Sequence, residues 1–212
     1  MPRLTRRQAL QSLLAAAAPM LATTMHAATG RTSAGADSDP REVIDVWPGS
    51  PPGGVPAGLA EEDIERPNDL GLRDRIVRHV TRPRITVFRA AGRSRGALLL
   101  LPGGGYRHVV VDKEGFETAR WFAARGINVF VLFYRLPADG WAGGPDAPLQ
   151  DAQRAMRVIR SRAATWDLDP AQLGVIGFSA GGHLAALLAC RHAAATYDAV
   201  DDADRASPRP DI

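Results

Sequence analysis

Cysteine and lysine are almost absent from this sequence. Among its 212 residues, Cys190 is the one cysteine and Lys113 the one lysine. A single thiol excludes an internal disulfide framework and a cysteine-based zinc ribbon or finger. The lysine follows an aspartate, so the Gly-Lys-Ser/Thr of a Walker-type phosphate loop is missing. The sequence therefore excludes disulfide-rich, zinc-finger and P-loop proteins.

A basic surface is missing as well. Lys and Arg number 26 against 23 Asp and Glu, and three of the arginines, Arg3, Arg6 and Arg7, lie in a leader without acidic residues. The rest of the chain is balanced in charge. Nucleic-acid binding calls for a clustered basic face, so we expect no nucleic-acid partner.

Residues 1–28 have the layout of a secretory signal. A basic segment with Arg6 and Arg7 precedes an apolar stretch over 13–22 and then small residues, and the paired arginines resemble the twin-arginine type. A signal anchor is the alternative, but a spanning helix needs about 20 strongly apolar residues, and this stretch is broken by Pro19. We expect export to the periplasm or medium, with no stable membrane span after removal of the signal.

The remaining chain divides into a linker and one folded body. Residues 29–40 contain Gly, Ser, Ala and Asp without an apolar period, which predicts a disordered linker. The body spans 41–212, with a short strand over 41–47 and a strand pair within 75–89 that is interrupted at Pro83.

Apolar runs and helical spacings alternate along the body. Continuous apolar runs predict strands covered on both faces at 97–101, 127–132 and 173–177. Apolar residues at helical spacing predict helices over 115–125, 148–165 and 180–195. This order predicts an α/β fold, a mostly parallel sheet with helices on both faces. In such folds the chemistry collects at the carboxyl ends of the strands.

A serine stands in the turn after the third apolar run. Residues 177–181 read Gly-Phe-Ser-Ala-Gly, a G-x-S-x-G between a strand and a helix. Such a sharp turn strains its central residue, requires small neighbours and projects the hydroxyl above the sheet beside a helix N-terminus. We predict Ser179 as a nucleophile; a Gly/Ser helix cap without chemistry is the alternative.

Three consecutive glycines follow the first apolar run, in the segment Pro-Gly-Gly-Gly-Tyr at 102–106. Consecutive glycines let backbone N–H groups converge on an anion, as a tetrahedral oxyanion requires. We predict an oxyanion hole from backbone N–H groups of Gly103, Gly104, Gly105 and Ala180. A phosphate-binding loop or a plain tight turn is the alternative, and a dinucleotide site is disfavoured because G-x-G-x-x-G is absent.

These segments together resemble the α/β-hydrolase esterases. PGGGYRHVVVDKEG, NVFVLFYRLP, APLQDAQRAMRVIRSRA and GVIGFSAGGHLAA, with VWPGSPPG upstream, are similar to the exported acetylxylan-esterase and feruloyl-esterase-like carbohydrate esterases, the xylanase-B-like group. The resemblance runs from about Val46 to the C-terminus. It implies the α/β-hydrolase fold, Ser179 as nucleophile and short acyl esters of carbohydrates, such as acetylated xylan, as substrates. It implies no metal and no organic cofactor.

The residues after Ser179 depart from the family's triad order, in which an acid and then a histidine follow the nucleophile. His183 lies one turn along the same predicted helix and His192 farther along it, so we expect neither to be the general base. The sequence resembles the N-terminal part of an esterase with its C-terminal strands missing, and we expect the chain to be a poor or inactive esterase. Alternatives are a non-catalytic carbohydrate-binding relative and a prolyl-oligopeptidase-like serine peptidase.

The sequence also predicts structural roles for several other residues. We expect Glu114 to cap the following helix, with a role at the rim of the pocket as the alternative. We expect Cys190 to be a core thiol. The acidic residues of 198–204 lack the glycine and glutamate of a calcium loop, which favours a solvated connector. A solvated helix face is expected for four arginines: Arg154, Arg157, Arg160 and Arg162.

Overall fold

The computed structural model describes residues 38–212, and Asp39–Ile212 form one compact unit. The predicted signal at 1–28 and the predicted linker up to residue 37 lie outside the described residues. Within 38–212, no helix is long and apolar enough to cross a membrane.

Strands and helices alternate through the described chain. The strands are β1 (Val43–Asp45), β2 (Glu62–Glu65), β3 (Arg75–Arg78), β4 (Arg84–Phe88), β5 (Ala97–Leu101), β6 (Val109–Val110), β7 (Asn128–Phe133) and β8 (Leu173–Gly177). The α-helices are α1 (Glu117–Ala123), α2 (Ala147–Ser161) and α3 (Ala180–Arg191). A π-helical turn, Asp112–Phe116, leads into α1.

The main sheet has the strand order β1-β4-β7-β5-β8. Strand β5 pairs in parallel with β7 and β8, and its Leu99 lies between Phe130 and Val175. Strand β4 is antiparallel to both of its neighbours, so four of the five strands run in one direction. The predicted mostly parallel sheet is confirmed.

The core lies on both faces of this sheet. All six residues of β7 are buried, which requires cover on each face because successive side chains point to opposite sides. Helix α1 contacts β7, whereas α3 contacts β8 and β5 and packs against α2. The apolar runs at 97–101 and 173–177 coincide with β5 and β8.

A second, antiparallel sheet of β2, β3 and β6 escaped the sequence analysis. Its strand β2 has the sequence Glu-Asp-Ile-Glu and is largely exposed, so it lacks the apolar signal of a strand. The predicted strand pair within 75–89 corresponds to β3 and β4, which join different sheets. Pro83 precedes β4 and, having no N–H group, marks the break between the two strands.

The expected solvated arginine face of α2 is wrong for three of its four residues. Arg154 is 2% exposed, and its guanidinium lies 2.5 Å from the Asp201 carboxylate and 2.9 Å from that of Asp204. Arg157 donates to the Tyr197 hydroxyl over 2.5 Å, and Arg160 donates to carbonyl oxygens of the segment 196–212. This arginine row, Arg154, Arg157 and Arg160, therefore holds the C-terminal segment, and Arg162 alone is exposed.

The acidic connector is likewise not simply solvated, because the Asp204 side chain is only 3% exposed. It accepts hydrogen bonds from the Tyr197 hydroxyl and the Val200 N–H. Asp201 caps the turn Asp202–Arg205 by accepting from the Ala203 N–H. The ion pairs with α2 and these local bonds give the segment a defined position.

Cys190 is exposed, so its prediction as a core thiol is wrong. The core side of α3 consists of Leu184 and Leu188, both fully buried. A residue two positions beyond Leu188 lies about 200° around the helix, on the opposite side.

The outer edge of β8 contacts the last residues of the chain. The Asp211 N–H donates to the Leu173 carbonyl over 2.9 Å, and the Val175 N–H donates to the Ile212 carbonyl over 3.0 Å. The Asp211 carboxylate also accepts from the Leu173 N–H and pairs with Arg160. Part of this edge is therefore satisfied within the described chain.

Candidate active site

Ser179 occupies a strained turn between β8 and α3. Its backbone angles are φ 47° and ψ −116°, a conformation that a non-glycine residue adopts only where its surroundings enforce it. A Cβ at Gly177 would overlap the Gly181 carbonyl, and a Cβ at Gly181 would overlap that of Leu101. The glycines thus allow the backbone to pack closely enough to form the turn, and the Ser179 side chain is exposed above it.

The glycine turn after β5 touches this serine. A Cβ at Gly103 would lie 3.1 Å from the Ser179 Cβ and 2.7 Å from the Phe178 carbonyl oxygen. Gly104 has a φ of 132° and Gly105 one of 62°, which favour glycine. Because β5 and β8 are parallel neighbours, their carboxyl ends lie side by side, and the fold brings the serine turn and glycine turn together.

The backbone donors of the glycine turn are not equivalent. The Gly103 N–H donates to Glu114 Oε2 over 2.7 Å. Among residues 38–212, the N–H groups of Gly104 and Gly105 donate to no protein acceptor. The N–H of Ala180 belongs to the first turn of α3, where helix donors lack an intrahelical partner. Two unengaged glycine donors therefore belong to the turn that contacts Ser179 through Gly103, and the N-terminus of α3 directly follows the serine.

The π-helical turn places three consecutive charged side chains in three different contacts. Asp112 accepts from the Arg75 guanidinium and backbone N–H; although burial opposes its ionisation, these hydrogen bonds lower the pKa of its carboxyl. Lys113 Nζ lies 3.2 Å from the Asp74 carboxylate. The expected helix cap is wrong, because Glu114 does not cap α1. Its carboxylate instead accepts from the N–H of Gly103, 11 residues earlier in the sequence.

Three of the four histidines within residues 38–212 have polar partners other than Ser179. His183 Nδ1 lies 2.9 Å from the Tyr106 hydroxyl, and His192 Nδ1 lies 3.0 Å from the Ala189 carbonyl oxygen. His79 pairs with Asp139. Burial, together with nearby arginines, lowers the pKa of the His108 imidazole. Within residues 38–212, no histidine hydrogen-bonds the Ser179 hydroxyl, and no cluster of metal-ligating side chains is found.

Comparison with known sequences identifies the family. The sequence profile of the BD-FAE family matches residues 89–208, more than half of the chain. The chain belongs to the BD-FAE family. This match covers the glycine turn, the π-helical turn, Ser179 and the arginine row.

Relatives of this BD-FAE chain are esterases and a xylanase. An acetylxylan esterase of Xylanibacter ruminicola is 37% identical over 92 residues, which is 43% of this chain and 18% of the relative. The endo-1,4-beta-xylanase B of Butyrivibrio fibrisolvens is 37% identical over 108 residues, 51% of this chain and 16% of the relative. An ethyl acetate hydrolase of Pseudomonas putida is 40% identical over 100 residues, 46% of this chain and 30% of the relative.

Solved structures show the same fold. An acetyl ester-xyloside bifunctional hydrolase from Caldicellulosiruptor lactoaceticus is 28% identical with a TM-score of 0.55, over 82% of this chain and 55% of that structure. Esterase Est2 of Thermogutta terrifontis, 22% identical with a TM-score of 0.50, covers 70% of this chain and 50% of its own. The BD-FAE chain has the α/β-hydrolase fold and spans about half of these structures and less than a third of the curated relatives.

Proposed function

We propose that this BD-FAE chain is a serine carboxylic-ester hydrolase with Ser179 as its nucleophile. The observation that carries the proposal is the contact between a serine in a strained strand-to-helix turn and a glycine turn whose Gly104 and Gly105 N–H groups are unengaged. A nucleophile beside preset backbone donors is the arrangement that acyl transfer requires.

The reaction proceeds through an acyl-enzyme. The Ser179 oxygen bonds to the ester carbonyl carbon, and the carbonyl oxygen becomes an oxyanion that the N–H groups of Gly104, Gly105 and Ala180 stabilise. The tetrahedral species collapses, the C–O bond to the alcohol breaks, and the alcohol leaves with the proton from the serine hydroxyl. Water then attacks the acyl-serine, releases the carboxylic acid and restores Ser179. Neither a metal nor an organic cofactor takes part.

Short acyl esters of carbohydrates are the proposed substrates. The support comes from the relatives, which include an acetylxylan esterase and an acetyl ester-xyloside hydrolase. Ser179 is exposed in the described chain, which leaves room for a polymeric alcohol group.

We also propose that a polypeptide of these 212 residues hydrolyses esters slowly. Ser179 has no hydrogen-bonded histidine within residues 38–212, so nothing in that part of the chain removes its proton. A serine hydroxyl without an adjacent general base is a weak nucleophile, although backbone donors still stabilise the tetrahedral species that it forms. The expected activity is therefore residual, and it depends mainly on the glycine turn.

The experiment compares acetate release by the wild-type chain, Ser179→Ala and Ser50→Ala. Ser50 is an exposed loop serine and serves as the matched control. With p-nitrophenyl acetate and acetylated xylan, we expect a slow rate for wild type and Ser50→Ala, and an acetyl adduct on Ser179 by peptide mass spectrometry. Equal rates for Ser179→Ala and wild type, without that adduct, would exclude Ser179 as the nucleophile. Xylan binding without acetate release would favour a carbohydrate-binding relative.

Export is part of the proposal, on the basis of the leader over 1–28. Mass spectrometry of the N-terminus of the protein recovered outside the cytoplasm tests it, and a chain retained in the cytoplasm with its Met1 would contradict it.

A further inference from the structure

One peptide group of the glycine turn is held at both ends. The carbonyl oxygen of Pro102 accepts from the Tyr134 hydroxyl over 2.6 Å, and the N–H of Gly103 donates to Glu114 Oε2 over 2.7 Å. The carbonyl and the N–H belong to the same planar peptide, so the two bonds fix the orientation of that plane. We call this arrangement, with Glu114 and Tyr134 on the Pro102–Gly103 peptide, the peptide clamp.

Tyr134 is suited to remain the donor of its bond. Its side chain is fully buried. Burial, reinforced by Tyr106 and the negative charge of Glu114, raises the pKa of the Tyr134 hydroxyl well above its usual range. The hydroxyl therefore stays protonated at neutral pH and donates to Pro102.

Glu114 lies close to the reacting serine as well. The point where a Cβ of residue 103 would lie is 2.7 Å from Glu114 Oε2 and 3.1 Å from the Ser179 Cβ. A free carboxylate so near an oxyanion would oppose the developing negative charge. Its bond to the Gly103 N–H engages the carboxylate and at the same time removes that N–H from the set of free donors.

We propose that Glu114 and Tyr134 are positioning residues, whose peptide clamp orients the glycine turn so that Gly104 and Gly105, not Gly103, supply its oxyanion donors. The inference rests on the proposed function of Ser179. The Gly103 carbonyl accepts from the Val110 N–H and the Gly104 carbonyl from the Arg107 N–H, so the turn is anchored on its far side too. Misplacing such donors by about 1 Å costs roughly 100-fold in rate.

The clamp can be observed directly without any catalysis. The sequence contains three Pro-Gly peptides, at 48–49, 52–53 and 102–103. A chain labelled with ¹³C-carbonyl proline and ¹⁵N-glycine gives one correlation for each, and Pro48→Ala and Pro52→Ala assign the other two. In wild type we expect the Gly103 amide proton to have a downfield chemical shift and to exchange slowly with solvent. In Glu114→Gln its chemical shift should stay close to the wild-type value. In Glu114→Ala the chemical shift should move upfield and the exchange should become fast. Glu117→Ala changes an exposed acid at the start of α1 and should leave it in place.

The catalytic consequence is measured as the hydrolysis rate above the Ser179→Ala background. Glu114→Gln keeps an acceptor oxygen and should stay within a few-fold of wild type. Glu114→Ala should lose roughly 10- to 100-fold in kcat with little change in KM, because donors rather than substrate contacts are displaced. Tyr134→Phe, which retains the buried ring, should lose activity in the same direction and serves if Glu114→Ala fails to fold.

Each outcome decides a separate statement. If the chemical shift and exchange rate of the Gly103 amide proton do not change in Glu114→Ala, the clamp is overturned. If the Gly103 amide signal changes in Glu114→Ala but the hydrolysis rate does not, the positioning role is overturned. If wild type shows no rate above Ser179→Ala while the amide still responds, the proposed function is overturned and the clamp stands as an anchor of the turn.

Discussion

At the scale of single residues, glycines of the serine turn are required by backbone contact rather than by flexibility. A Cβ at Gly181 would overlap the Leu101 carbonyl oxygen and lie 2.6 Å from that of Pro102. At the next position, a Cβ on Gly182 would lie 3.2 Å from the Gly177 carbonyl oxygen, which is tight but not an overlap. Gly181 is thus where the helix that follows Ser179 meets the end of β5.

Alanine substitutions separate these two glycines. Gly181→Ala should lower the free energy of unfolding by about 2–3 kcal/mol, because helix and strand must move apart. Gly182→Ala should change it by less than about 1 kcal/mol, since the better helix propensity of alanine offsets the tight contact. Urea denaturation measures both. Equal effects of the two variants would contradict a steric requirement at Gly181.

Residue roles were only partly predictable from the sequence. The G-x-S-x-G pattern and three consecutive glycines are local signals, and the structure places these segments in contact. The bond between Glu114 and Gly103 has no such signal, because it spans 11 residues and depends on the π-helical turn. The chemical roles of Ser179, the glycines and Ala180 stay predictions.

At the scale of elements, α2 acts through its arginine row as an anchor for the C-terminal segment. Arg154 is nearly inaccessible and faces two carboxylates. The hydrogen bond from Arg154 lowers the pKa of Asp201. Burial works against ionisation of Asp204, but hydrogen bonds from Val200, Tyr197 and Arg154 outweigh it and lower that pKa too. Both groups favour the folded state in their ionised form.

Removing this anchor should be costly. Arg154→Ala leaves the buried Asp204 carboxylate without its main cation, and we expect a loss of about 3 kcal/mol in unfolding free energy. Arg162→Ala, at the exposed end of the same helix, should change it by less than about 0.5 kcal/mol. Thermal and urea unfolding at pH 7 check both. Similar losses in the two variants would contradict a specific role for Arg154.

The acid dependence supplies the control for that anchor. Because the folded-state pKa values of Asp201 and Asp204 lie below the ordinary value of 3.8, the unfolded chain binds protons first as the pH falls. Their contribution is full above that value and is lost as the pH drops through the lowered folded pKa values. In Arg154→Ala the free energy of unfolding should therefore fall less steeply as the pH drops. An unchanged pH dependence would argue against Arg154 as the partner of these two carboxylates.

Strands were predictable where the run of apolar residues is continuous. Strands β5 and β8 are apolar over their whole length and were predicted residue for residue. Strand β2, made of Glu-Asp-Ile-Glu, carries no such pattern. The burial of Arg154 was not predicted either, because its carboxylate partners lie 47 and 50 residues away in sequence. Its charge alone suggests a solvated helix face.

At the scale of the whole molecule, the protection of backbone amides from hydrogen exchange should fall from the centre of the main sheet to its β8 edge. Strand β7 lies between β4 and β5 and is buried throughout. Strand β8 has β5 on one side and only the contacts of Asp211 and Ile212 described on the other. Its Val175, Ile176 and Gly177 are only partly buried.

Hydrogen exchange measured by NMR tests this gradient. The Phe130 amide should exchange only through global unfolding, whereas the Val175 amide should exchange through local opening, roughly tenfold faster or more. Deleting residues 211–212 removes the acceptor of Val175 and should speed its exchange further, with Phe130 unaffected once corrected for global stability. Equal protection of Val175 and Phe130 in the full chain would contradict the gradient.

The lone lysine has a practical consequence for chemical labelling. Lys113, about half exposed beside Asp74, is the only side-chain amine in the sequence and directly precedes Glu114 of the peptide clamp. A fluorophore carried by an amine-reactive ester therefore attaches at this one side chain, besides the terminal amine, and reports on motion next to the glycine turn. Activated acyl esters can modify the same amine, so an acetylated protein mass must be mapped to Ser179 or Lys113 before it is counted as an acyl-enzyme.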